Sequence, residues 1–156
     1  MRYHLHLYAP KTGQLTPSMI TWLYENGQRD DQPEAYWPIR KIRPRQLARV
    51  LLTLDPSLII REGADDDVEL HYPVEQVGMS LYIHTRGVIV TFPFFGGALA
   101  RVVLGITYTY VRYLSDQAGF WSFDPHLNVL SYGEDFHNID ETAALMESAL
   151  PKLLEG

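Results

Sequence analysis

Val88-Ile89-Val90-Thr91-Phe92 is followed by Gly96-Gly97, a long apolar segment from Ala98 to Asp116, then Gly119-Phe120-Trp121-Ser122-Phe123-Asp124-Pro125 and Asn128-Val129-Leu130-Ser131-Tyr132. The first run is β-branched, apolar and bounded by turn residues, which predicts a buried strand. Ala98–Asp116 reads as a central helix, with Leu99, Val102, Val103, Ile106, Tyr110, Tyr113 and Leu114 as a broad apolar face. Its β-branched residues and Gly105 make it a poor isolated helix, so tertiary burial must hold it. A strand over Val102–Val111 is the alternative. Asp-Pro then starts a turn between two strands. Alternation puts Phe120 and Ser122 on one face of that hairpin and Trp121 and Phe123 on the other.

Before this spine, Met1 to Tyr8 alternates strictly. Met1, Tyr3, Leu5 and Leu7 share one face, and Arg2, His4, His6 and Tyr8 the other, the pattern of a half-buried strand. Thr16-Pro17 opens a helix, with Thr16 as cap and Pro17 at the first helical position. Met19, Ile20, Leu23 and Tyr24 form its inward stripe, and Gly27 follows its end. Gln28–Pro38 is a polar loop with room for a short strand at Ala35–Trp37. A second helix follows Arg43-Pro44, with Leu47, Val50, Leu51 and Leu54 at helical spacing. Two hairpins come next: Leu58–Arg61 with Val68–Tyr72, and Met79–Thr85 with Val88–Phe92. Asn138-Ile139-Asp140-Glu141 reads as a capping box for a last helix, whose stripe is Leu145, Met146, Ala149, Leu150 and Leu153. Pro151 is expected to kink or shorten it. No repeat or linker divides residues 1–156, so the chain reads as a single domain.

The order is therefore β-α-α-ββ-ββ-α-ββ-α. Hairpins between helices predict an α+β fold, an antiparallel sheet with helices packed mainly on one face. Val102, Ile106, Leu47, Leu51, Leu145 and Leu5 are expected to share its core.

Composition narrows the functional classes. The 156 residues include no cysteine, which removes disulfides, thiolate metal sites and a cysteine nucleophile, and fits a reducing cytosol. The net charge of −6 is uneven. Residues 1–52 carry eight Lys/Arg against four Asp/Glu, while residues 53–156 carry five against fifteen. That acidic stretch disfavours a nucleic-acid partner and permits a basic protein. The longest apolar region, Val88–Leu114, is interrupted by Pro93, Gly96, Gly97 and Arg101. A central arginine costs several kcal/mol in a bilayer, so no membrane partner is expected. The N-terminus lacks the continuous apolar core of a secretory signal, and a cytoplasmic location is expected.

Four histidines, His4, His6, His71 and His84, fall on predicted strands. With Glu69 they could hold zinc, but no close ligand pair such as H-E-x-x-H supports it. The pairs expected of a two-histidine phosphoesterase are absent at His4 and His84. The acidic turn Glu62–Glu69 lacks the spacing of a twelve-residue calcium loop. Gly96-Gly97 has neither phosphate-loop pattern. No catalytic residue, metal ligand set or cofactor is assigned.

Strand parity instead gathers His4, His6, Tyr82 and His84 on the sheet face turned away from the helices, with Trp121 at its rim. Tyr and His offer contact area and hydrogen bonds at low entropic cost, which suits recognition. Imidazoles there would make binding vary between about pH 6 and 7.5. Two other readings are a metal-dependent enzyme built on the histidines and a small-molecule domain with a pocket lined by Tyr108, Tyr110 and Trp121.

The order of apolar strand, long helix, Gly-Phe-x-x-Phe-Asp-Pro (residues 119–125) and Leu127-Asn128-Val129-Leu130 resembles the C-terminal third of small uncharacterised bacterial proteins, some found in toxin–immunity neighbourhoods. Those proteins often carry an aromatic-Asp-Pro-Gln hairpin, and here His126 stands in place of the glutamine. The resemblance implies a bacterial source, an α+β fold and an immunity-type or regulatory binding role. It transfers no catalytic residue.

Overall fold

The computed structural model describes residues 2–29, 31–132 and 139–155, with side chains in the last helix as far as 149. The strands are β1 (Arg2–Tyr8), β2 (Ile59–Glu62), β3 (Val68–His71), β4 (Ser80–His84), β5 (Gly87–Pro93), β6 (Trp121–Asp124) and β7 (Val129–Ser131). The helices are α1 (Pro17–Asn26), α2 (Pro44–Leu54), α3 (Gly97–Ala118) and α4 (Ile139–Glu155). The strands form one antiparallel sheet in the order β2-β3-β4-β5-β1-β6-β7. The fold is α+β.

The N-terminal strand is internal. β1 pairs with β5 from Arg2↔Pro93 to Leu7↔Val88 and with β6 from His6↔Phe123 to Tyr8↔Trp121. Its alternation is realised: Tyr3, Leu5 and Leu7 are buried, and the intervening residues are half-buried. The same parity continues through Val68, Leu70, Leu81, Ile83, Val88, Val90 and Phe92, which join one core with residues of α2, α3 and α4. Tyr3 stacks on Phe92, ring centroids 5.3 Å apart.

Local signals act as read. The Thr16 side chain accepts a hydrogen bond from the Met19 N–H at 3.3 Å, and Pro17 takes the first position of α1. α3 ends at Gly119, whose φ of 71° is the left-handed cap conformation that a side chain would strain. The Tyr110 hydroxyl donates to Asp55 and so ties α3 to the end of α2.

Several expectations are corrected. Residues 102–111 are helical, within α3. Of the expected apolar face, Val103, Tyr110 and Leu114 are buried, but the stripe is shifted: Ala100, Leu104, Thr107, Tyr108 and Val111 join them, whereas Leu99 is 50% and Val102 55% exposed. Ile106 and Leu145 only flank the core, while Leu5, Leu47 and Leu51 lie within it. In the first turn of α3 only Ala100 is buried, and the Gly97 N–H donates to Glu147 of α4. The Ala35–Trp37 strand is a 3-10 turn, Glu34–Tyr36. Tyr24 and Leu54, near the C-terminal ends of α1 and α2, are exposed. α4 continues through Pro151 to Glu155. Met1, the cap residue Asn138, and the Leu150 and Leu153 side chains lie outside the described residues.

The helices are also not confined to one face. α1 packs on the opposite one, where Ile20 and Leu15 join Trp37, Ile39 and Phe123 in a second core, flanked by Tyr8, Trp22, Leu23, Trp121 and Leu130. Trp22 meets Trp37 edge-on at 5.1 Å.

The corrected phase of α3 can be checked directly. Leu104→Ala should lower stability by about 2–5 kcal/mol, as a fully buried leucine does. Leu99→Ala should change it by no more than about 0.5 kcal/mol, as a surface substitution does. Urea denaturation midpoints of the two variants measure the difference, and equal losses would contradict this phase.

Candidate functional site

One sheet face is closed by three helices. The other is covered by α1 at the β6–β7 end and as far as His6, His84 and Ile89, and is open over the rest of β2 to β5. Because pairing is in register, its side chains line up across strands. One row runs Arg61, Glu69, Tyr82, Ile89, His6, Phe123 and Leu130, and the next Ile59, His71, Ser80, Thr91 and His4. His4, His6, Tyr82 and His84 therefore do share a face. Trp121 belongs to it too, but under the α1 end, stacked on Tyr132 at 4.8 Å.

Neighbours hold much of this surface in place. His71 sits between Glu69 at 3.0 Å and the Ser80 hydroxyl at 2.9 Å. The Tyr82 hydroxyl donates to Asp67 at 2.7 Å, and that contact together with burial raises its pKa. The Arg2 guanidinium donates to Thr91 and to the Gly78 carbonyl. Apart from Asp67, these residues, with Ile59 and Arg61, line an open depression of about 560 Å³.

The imidazoles are tuned away from their ordinary value. Burial lowers the His6 pKa from 6.5 to about 4, helped by nearby His4, His84 and His126. Burial also lowers His84, and burial with His126 and Arg2 lowers His4. All three are neutral at pH 7. The pH sensitivity expected between about pH 6 and 7.5 thus moves to more acid values for these groups. Among the described residues no group of three or more His, Asp or Glu side chains is placed to hold a metal ion.

Sequence reasoning missed two neighbours. His126 stacks on Tyr3 at 4.2 Å, and its Nε2 accepts from the His4 N–H at 3.4 Å. The signal was the Asp124-Pro125 turn: the Asp124 carboxylate accepts from the N–H groups of His126 and Leu127 at 2.9 and 3.1 Å and also takes the Tyr3 hydroxyl. The second is Arg86, whose guanidinium lies 3.9 Å over the Trp37 ring while paired with Glu34. It fastens the loop beneath α1 to the β4–β5 turn. The expected Tyr108–Tyr110–Trp121 pocket is not formed. Both tyrosines are buried in the α3 core, and Trp121 lies across the sheet from them.

No protein-family model matches this chain, and no curated protein sequence matches it.

The His6 shift has a definite sign. Between pH 6.5 and about 4 the unfolded chain binds a proton that the folded protein does not, so stability falls as pH drops through this window. Allowing for partial exposure, the loss should be on the order of 2 kcal/mol by pH 4.5. Urea unfolding at pH 7 and 4.5 should show wild type losing that much more stability than His6→Leu. Equal losses would place His6 in water.

Proposed function

We propose that the protein is a non-enzymatic binding protein of the bacterial cytosol, immunity-type or regulatory, that contacts a protein partner through the open Tyr/His face of its sheet. The observation that supports this reading most is that the open face is pre-ordered. Tyr82, His71 and Arg2 are each fixed by a cross-strand or loop hydrogen bond. Side chains already immobilised lose little entropy on association, so more of their contact energy is available as affinity. The face also carries the residue types that serve as anchors: Tyr82, Arg61 and Arg2, with Ile59 49% exposed on the edge strand, His4 beside them, and His6 and His84 where the face passes under α1. Neutral imidazoles suit this role, since they can donate or accept without an ionic desolvation penalty.

Co-purification from the native cell, followed by titration with the identified partner, tests the reading. Tyr82→Ala and His84→Ala should each weaken binding about tenfold or more, the effect of losing an interface anchor. Leu99→Ala and Val102→Ala, on the exposed side of α3, should leave affinity unchanged. The reverse pattern would put the functional surface on the helical face.

A further inference from the structure

Between α1 and the sheet lies a cleft of about 270 Å³, separate from the open depression. α1 contributes Ile20 and Leu23, and the sheet His6, Tyr8, His84, Ile89 and Phe123; Trp37 and Arg86 line it as well. The aromatic rings of Tyr8, stacked beside His6 at 6.2 Å, and Phe123 line it, with Trp37 under the Arg86 guanidinium. Its volume falls just below the range of about 300–1,000 Å³ usual for drug-sized ligands, so it suits one ring system better than an extended chain.

The polar groups in this cleft are unspent. The His84 Nδ1 accepts the Arg86 backbone N–H at 3.3 Å, so its neutral ring carries the proton on Nε2 and offers a donor. Among the described residues, neither His6 ring nitrogen nor the Tyr8 hydroxyl has a hydrogen-bond partner. These polar atoms are reached by solvent and are open to hydrogen bonds from a ligand in the cleft. The cleft is also electrically quiet. Among the described residues that line it, the one fixed cation, Arg86, is paired with Glu34 and laid on Trp37, and burial pushes the Tyr8 phenol up to about 12. An anion or a cation would enter without a counter-charge. Tyr8 lies close over Gly87, where a Cβ would stand 2.5 Å from the Leu7 carbonyl oxygen and 3.1 Å from the Tyr8 ring, so the bare glycine is what lets that wall sit down on the sheet.

We infer that this cleft is a small-molecule site for a free, uncharged nitrogen heteroaromatic ring, the chemistry of a nucleobase, stacked against Tyr8 and Phe123 with its polar edge toward His6 and His84. Such a ring combines flat apolar faces with an edge of acceptors and donors. The same aromatic chemistry could arrive on a partner's side chain, but α1 roofs the cleft and favours a free ring over one attached to a chain.

Isothermal titration of the protein with adenine tests the proposal, beside benzoate as a charged ring and N-acetyltryptophanamide as a peptide-borne one. Adenine should bind with Kd below about 1 mM and at least about tenfold tighter than either comparison. His6→Leu should weaken adenine about tenfold, and Leu23→Trp, which fills the cleft from α1, should remove binding. Circular dichroism of both variants confirms folding. No adenine binding, equal binding to wild type and the folded variants, or preference for benzoate or the peptide-borne ring would each overturn the assignment.

Discussion

The strict alternation of β1 is the constraint on which the rest depends. This strand lies inside the sheet, between β5 and β6, and every odd residue from Tyr3 to Leu7 is buried. A slip of one residue would send Arg2, His4 and His6 into the core and Tyr3, Leu5 and Leu7 to the other face, so the register is set by the full apolar contribution of three large side chains. The Tyr3–Asp124 hydrogen bond adds a polar lock to the same register. Asp124 is buried with its carboxylate shared among the Tyr3 hydroxyl and two turn N–H groups, which couples β1 to the β6–β7 hairpin. Burial and that contact together hold the Tyr3 phenol in its protonated form.

The two faces then take different solutions. One meets α2, α3 and α4 and becomes a conventional apolar core. The other is shared between a second, aromatic core under α1 and an uncovered half whose polar side chains are tied to one another. His6 stands at the junction of these regimes. It is close enough to α1 to lose much of its hydration, and its neighbours on the sheet include other imidazoles instead of carboxylates. That combination keeps it neutral, and it defines what both the open face and the cleft can recognise: surfaces and rings that exchange hydrogen bonds without bringing a charge.

Much of this was legible in the residues. The parity of Met1–Tyr8, the Thr16-Pro17 cap and the hairpins around Gly63 and Gly87 each carry a local signal strong enough to fix element type and facing. Parity alone placed His4, His6, Tyr82 and His84 together. The phase of α3 was not legible, because apolar residues surround most of the helix and only its tertiary neighbours choose between Leu104 and Val102. Nor was the position of α1, since a stripe of Ile20 and Leu23 says that a helix is half-buried but not against which sheet face. The cleft depends on contacts distant in sequence, Arg86 with Glu34 and Trp37 above all, and nothing local encodes them.

The central claim is that β1 and β4 present neutral imidazoles on the face opposite the main core. Histidine-ring nitrogen NMR, recorded from pH 3.5 to 8, tests it most directly. It should find His6 unprotonated at pH 6 and titrating near 4, and His84 as a neutral ring protonated at Nε2. A His6 ring titrating at its ordinary value of 6.5, with its two tautomers in rapid exchange, would contradict the account.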